Sequence, residues 1–113
     1  MKRVVFLGSK KIGYDCLKIL YENQNKHKYR IEAVITNLRG KRIKDFALMK
    51  KIKVLKSLDE LLTLEKVDLI ISIQFHKILN LKHIKKASNL AINLHMAPLP
   101  EYRGSNQFSL AIL

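Results

Sequence analysis

Apolar residues in this chain fall into short continuous runs separated by segments with helical spacing. Val4-Val5-Phe6-Leu7 ends at Gly8, the pattern of a buried strand that closes in a turn. From Lys11 to about Asn25, Ile12, Cys16, Ile19 and Leu20 recur at helical intervals, with Lys10, Lys11, Asp15, Lys18 and Glu22 on the other side. Asn23 to Lys28 is polar and predicts a loop. Ile31, Ala33, Val34 and Ile35 predict a second strand closed by Thr36-Asn37, and Arg39 to Arg42 a basic loop around Gly40. Ile43 to Lys51 predicts a short helix with Ile43, Phe46, Ala47 and Met49 inward. Val54-Leu55 is a minimal third strand. Ser57, with Glu60 three residues on, predicts a capped helix to about Leu64. Val67 to Ile73 and Leu90 to Leu94 predict the fourth and fifth strands, with a short helix over Asn80 to Lys86 between them. Tyr102 to Leu113 reads as a loop and the start of a helix. Strands alternating with helices argue for an α/β fold, an open parallel sheet of about five strands with flanking helices.

A chain of 113 residues, 48% apolar and 27% charged, is one domain (1–113) with one core and not a disordered tail. Its single cysteine, Cys16, permits no intrachain disulfide and fits a reducing, cytoplasmic setting. On its apolar stripe Cys16 reads as a small core residue rather than a nucleophile. No apolar run is long enough to span a membrane, and Val4 to Leu7 is too short for a signal-peptide core. The net charge of +13 is uneven: residues 1–56 hold 16 Lys+Arg against 4 Asp+Glu, residues 57–113 hold 6 against 5. A basic half suits phosphate-bearing partners, although 17 of the 22 basic residues are Lys, the less geometry-specific phosphate reader.

Several familiar site patterns fail. Gly8 is followed by Ser9 and then by Lys10 where a dinucleotide-binding turn needs its second glycine. Gly8 and Gly13 have phosphate-loop spacing, but Tyr14 and Asp15 stand where Lys and Ser/Thr belong. His27, His76, His83 and His95 form no ligand-spaced cluster with the lone cysteine, so no metal site is expected. Gly8-Ser9 still opens a helix whose free N–H groups can hold an anion.

The stretch from Ala91 to Gly104 carries the chemistry. Asn93 and His95 are two apart at the end of a strand, so they share one face, and strand ends line the ligand crevice of an open parallel sheet. A carboxamide there can hydrogen-bond an oxygen that turns negative, and an imidazole can accept an amine's proton. Pro98-Leu99-Pro100-Glu101-Tyr102-Arg103-Gly104 adds a stiff loop beside the pair. This passage resembles the N-terminal domain of the 10-formyltetrahydrofolate-dependent formyltransferases, the family of methionyl-tRNA, phosphoribosylglycinamide and sugar N-formyltransferases. The resemblance extends to Val4–Ser9, Ala33–Thr36 and Asp68–Leu79. It implies a Rossmann-like domain in which Asn93 and His95 are catalytic. The donor, 10-formyltetrahydrofolate, would lie against Phe75, Lys77, Ile78, Leu79, Pro98, Leu99, Arg103 and Gly104. The acceptor amine would enter past Gly8, Ser9 and Lys10. Met96 to Pro100 followed by Asn106-Gln107-Phe108 looks more like the branch acting on nucleotide-linked amino sugars than like the methionyl-tRNA branch, so tRNA is the second acceptor.

The family's third catalytic residue is an Asp some tens of residues beyond the His, whereas this chain ends 18 residues after His95. The sequence therefore predicts a domain incomplete at its C-terminus, weakly active or inactive alone, that needs a further segment or self-association. The competing expectations are a non-catalytic folate- or nucleotide-binding module and a basic nucleic-acid-binding protein whose affinity falls steeply with salt.

Overall fold

The computed structural model describes the backbone of residues 1–98 and 106–112 and the side chains through residue 94. The elements run β1 (Lys2–Gly8), α1 (Lys10–Glu22), α2 (Gln24–His27), β2 (Tyr29–Ile35), α3 (Lys41–Met49), β3 (Lys53–Leu55), β4 (Val67–Ile73), α4 (Leu81–Ile84), β5 (Ala87–Pro98) and β6 (Asn106–Ile112). The sheet order is β3-β2-β1-β4-β5-β6. The first five strands are parallel, and β6 runs antiparallel to β5 from Asn106 opposite Pro98 to Ile112 opposite Ile92. The predicted parallel α/β sheet is therefore present, Rossmann-like in strand order, with a sixth strand added at one edge.

Val4, Val5, Phe6 and Leu7 are all buried because β1 lies at the centre and is covered on both faces. One face packs Val5, Leu7, Ile70 and Ala91 against Leu58 and Leu61. The other packs Phe6, Ile31 and Val34 against Leu17 of α1 and Ile43 and Ala47 of α3.

Five expectations need correction. The stretch read as a loop and the start of a helix is described over 106–112 only, and there it is a strand paired with β5, since a helix that short is marginal while the outer edge of β5 offers unpaired backbone groups. Leu58–Thr63 is a 3-10 turn, and Ser57 makes no side-chain cap bond. Leu58 and Leu61, three apart, both face the core in that tighter winding. Asn23 to Lys28 contains the short α2 rather than only loop. In α1 the buried positions are Gly13 and Leu17, while Ile19 is 59% exposed, because the helix approaches β1 through Gly13, next to Gly8. Met49 of α3 also faces solvent.

Candidate functional site

The strand order reverses between β1 and β4: β1 leads outward to β2 and β3, and the chain then returns to β4 and β5. Ligands of open α/β sheets bind in the crevice that this reversal opens at the carboxyl ends of the strands. Here the loops after β1 and β4 bound a cleft of about 450 Å³, lined among others by Ser9, Lys10, Asn37, Gln74 and His76. Two of its non-glycine residues hold left-handed backbone, Lys10 (φ 62°) opening α1 and Gln74 (φ 54°) following β4. Such conformations cost on the order of 1–3 kcal/mol and persist where surrounding structure enforces them.

Hydrogen bonds fix this edge. Ser9 N–H donates to the Ile73 carbonyl at 3.3 Å, and Gln74 N–H to the Leu94 carbonyl at 2.9 Å, so the ends of β1, β4 and β5 are tied in sequence. The buried Ser9 hydroxyl donates to Asn37 Oδ1 at 2.8 Å, and that oxygen also accepts from Arg39 N–H at 2.9 Å. Thr36 Oγ1 donates to the Gly8 carbonyl at 2.7 Å. The loops after β1 and β2 are thereby one unit.

Leu7, Ser72 and Asn93 are direct partners across β1, β4 and β5. Neighbouring side chains in parallel register share a face, so Asn93 lies on the face that holds Leu7, Phe75 and Leu79. Asn93 is half-buried in the middle of β5, opposite Ser72, the penultimate residue of β4. The sheet pairing thus sets Asn93 on the face of the Phe75–Leu79 segment. His95 follows in β5, its Cα opposite that of Ser109; its side chain lies outside the described residues, as does that of Pro98. Leu99, Arg103 and Gly104 lie outside them altogether.

Within the segment after β4 the residues divide. Phe75 and Leu79 are buried in the core and shape the loop, whereas Lys77 and Ile78 are exposed, Ile78 at 91%. His76 packs edge-on against Phe75 with ring centroids 4.6 Å apart. Partial burial, and second the Lys77 charge, hold its imidazole below the ordinary value, which favours the neutral ring at neutral pH. Gly8 has no room for a side chain, because a Cβ would lie 2.4 Å from the Phe6 ring; Ser9 is buried; Lys10 is exposed. Of that trio only Lys10 offers a charge to solvent.

A second, larger cleft of about 750 Å³ adjoins the first. Asn37, Leu38, Phe75 and His76 line both. It extends over the ends of β2 and β3, where Lys41, Lys44, Lys56 and Lys77 stand around an apolar floor. Sequence reasoning missed Asn37, His76, Lys44 and Lys56 as site residues. The available signal was position: Asn37, Lys56 and His76 each follow a strand's carboxyl end closely.

Among the described residues no three His, Cys, Asp or Glu side chains gather as a metal site, and no helix is long and apolar enough to cross a membrane.

The sequence model of the Formyl transferase family matches residues 43–113, more than half of the chain. The chain belongs to that family. A methionyl-tRNA formyltransferase of Limosilactobacillus fermentum is 30% identical to this chain, over 100% of it and 40% of the relative. A solved sugar 3N-formyl transferase, determined in the presence of dTDP and 5-N-formyl-THF, is 25% identical with a TM-score of 0.62, covering 89% of this chain and 37% of that one. Phosphoribosylglycinamide formyltransferase from Bacillus halodurans superposes with a TM-score of 0.66 at 14% identity, over 91% of this chain and 60% of that one, a likeness of fold. The chain spans about two-fifths of the length of the curated relative it matches.

Proposed function

We propose that this chain forms the strand-edge half of an active site that moves a formyl group from 10-formyltetrahydrofolate to an amine, the acceptor being an amino sugar linked to a nucleotide. The observation that carries the reading is the placement of Asn93 on the face of the Phe75–Leu79 segment, in a member of the formyl transferase family. The donor's flat ring system fits what this segment offers, an exposed Ile78 and Lys77 set on a loop anchored in the core by Phe75 and Leu79. Phe75 and Leu79 hold that loop from beneath, and Pro98, Leu99, Arg103 and Gly104 complete the donor's surroundings. As the amine nitrogen adds to the formyl carbon, the carbonyl oxygen gains negative charge, and the Asn93 carboxamide donates a hydrogen bond to it. His95 takes the proton that the amine loses and passes it to the donor nitrogen as the bond from that nitrogen to the formyl carbon breaks. Lys10, with the Gly8–Ser9 turn, faces the acceptor.

The test supplies the full chain with the remaining portion of a relative, 10-formyltetrahydrofolate and either a dTDP- or UDP-linked amino sugar or methionyl-tRNA. Formylation of the sugar nucleotide is expected, lowered about 10²–10³-fold by Asn93→Ala, the scale of losing one oxyanion donor. Turnover indifferent to both Asn93→Ala and His95→Ala would remove the assignment. Methionyl-tRNA is the second reading, supported by the 30% identity to an enzyme of that name along the whole chain. Cytoplasmic localisation accompanies either acceptor.

A further inference from the structure

We infer, on the acceptor reading above, that Asn37 is the residue that touches the amine-bearing molecule beside the β1 turn: its carboxamide NH2 donates a hydrogen bond to an oxygen of that molecule, and Ser9 is the positioning residue behind it.

The turn after β1 leaves a substrate little to touch directly. Gly8 has no side chain, and Ser9 is buried with its hydroxyl given to Asn37 Oδ1 at 2.8 Å. That bond and a second one orient Asn37. A carboxamide has an accepting end and a donating end, which exchange when the group turns over. The Arg39 backbone N–H can only donate, and it lies 2.9 Å from the same Asn37 atom that receives the Ser9 hydroxyl. That atom is therefore the oxygen, both of its lone pairs are taken, and the other end is the NH2. The NH2 has no hydrogen-bond partner among the described residues, where no buried side-chain nitrogen is left without one. It opens instead into the cleft of about 450 Å³ that Asn37 lines beside Lys10.

Three strands support this donor. Thr36 Oγ1, one residue earlier, donates to the Gly8 carbonyl at 2.7 Å, and Ser9 N–H donates to the Ile73 carbonyl at 3.3 Å. A donor held in this way loses little freedom when a ligand arrives. Lys10, which is exposed, adds charge without a fixed direction. The spacing also suits one molecule. The Ser9 bond draws the carboxamide over the end of β1, two strands from β5, so roughly 10 Å separate it from the strand of Asn93 at about 4.8 Å per strand. An acceptor whose amine is held beside Asn93 needs an oxygen about that far from its nitrogen, which the donor of the formyl group does not have to supply.

The experiment separates the two ends of the carboxamide. Asn37→Asp keeps an oxygen for the Ser9 hydroxyl and the Arg39 N–H but replaces the NH2 by a second oxygen, so its urea midpoint is expected to match the parent's. In the full chain, the side-chain NH2 signals of Asn37, assigned by their absence from the NMR spectrum of that variant, are expected to shift on titration with a dTDP- or UDP-linked amino sugar or with 3′-methionyl-adenosine, the small end of methionyl-tRNA. They are expected to stay in place with 5-formyl-THF. In the chain completed with the remaining portion of a relative, Asn37→Asp is expected to raise the acceptor KM about tenfold, the scale of one lost hydrogen bond, with kcat and the donor KM nearly unchanged. Repulsion by the new carboxylate is screened by salt and a lost hydrogen bond is not, so the ratio of variant to parent KM is expected to persist at about 0.5 M NaCl. Ser9→Ala is expected to raise the acceptor KM about threefold by loosening the carboxamide, again without changing the donor KM. Signals that no acceptor moves, signals that 5-formyl-THF moves alike, an acceptor KM indifferent to Asn37→Asp, or a rise that vanishes in salt each overturn the contact. A lowered urea midpoint in Asn37→Asp overturns the assignment of the two ends, and indifference to Ser9→Ala overturns the positioning role. Acceptor-dependent shifts in a chain that, once completed, transfers no formyl group support the contact and count against the activity. Transfer by Asn37→Asp with the parent's acceptor KM counts against the contact alone.

Discussion

Single side chains at the strand edge hold more structure than their size suggests. Asn37 is the acceptor for the Ser9 hydroxyl, which is only 1% exposed. Removing an acceptor and leaving a buried donor costs about 1–3 kcal/mol, while removing both partners costs less than that sum. Asn37→Ala is therefore expected to destabilise the chain by about 1–3 kcal/mol, and Ser9→Ala to recover part of the loss in the double variant. Urea denaturation of the four members of the cycle reads this; strictly additive effects would mean the two groups act apart. Gly40 poses a question of space, since its φ of −118° is open to any residue. An added Cβ would lie 1.7 Å from Thr36 Oγ1, whose hydroxyl is committed to the Gly8 carbonyl. Gly40→Ala is expected to cost about 1–3 kcal/mol, the range for overpacking, in the same denaturation measurement.

At the level of elements, α4 shows a short helix made possible by its cap. Asn80 Oδ1 accepts from the Lys82 and His83 N–H groups, and His83 Nδ1 accepts from the Asn80 N–H at 3.3 Å. With Nδ1 an acceptor, Nε2 carries the hydrogen and faces Asp59 Oδ1 at 3.3 Å, which ties α4 to the 3-10 turn over Leu58–Thr63. Asn80→Ala is expected to cost about 1 kcal/mol and to raise amide exchange over 81–84 before any other element; uniform exchange would show the cap to be idle. The same scale explains what the sequence made legible. Continuous runs such as Val4–Leu7 and Val67–Ile73 announce strands buried on both faces, and these were read correctly. Strand β5 was read as Leu90–Leu94 but spans Ala87–Pro98, because Ser88, Asn89 and His95 interrupt the apolar run while backbone pairing ignores side-chain polarity. Strand β6 was misread because Phe108 to Leu113 carries no period, and only the open edge of β5 decides its state. Strand alternation makes it legible that Asn93 lies opposite Leu94, but which face meets the Phe75–Leu79 segment comes only from the sheet pairing. The lysine cleft was not, because Lys44, Lys56 and Lys77 are far apart in sequence and meet only through the sheet order.

Over the whole molecule the two ends of the parallel strands are organised oppositely. At the carboxyl ends, four lysines gather with no acid lining their cleft among the described residues. At the amino ends, Arg3 clasps the switch point shut. Its Nε and Nη2 donate to the Glu32 carboxylate at 2.7 and 2.8 Å, Nη1 to the Lys66 carbonyl at 2.8 Å, and its backbone N–H to Asp68 Oδ2 at 2.7 Å. Those partners belong to β2 and to the start of β4, on either side of β1, so one arginine joins the outward and returning halves of the sheet. The Arg3 hydrogen bonds hold the Glu32 carboxyl below the usual carboxylate range. A carboxylate whose native value is depressed adds stability above its unfolded value, and that stability disappears as pH falls through the native value. Lowering the pH also raises a net charge already at +13, adding self-repulsion that Glu32 does not govern. Glu32→Gln separates the two effects. The variant is expected to be less stable than the parent at pH 7 and to converge with it as the pH drops below the native Glu32 value, both chains still losing stability from repulsion. Urea midpoints measured from pH 7 to pH 3 read this directly. Parallel curves across that range would show that the clasp does not depend on the charge of Glu32.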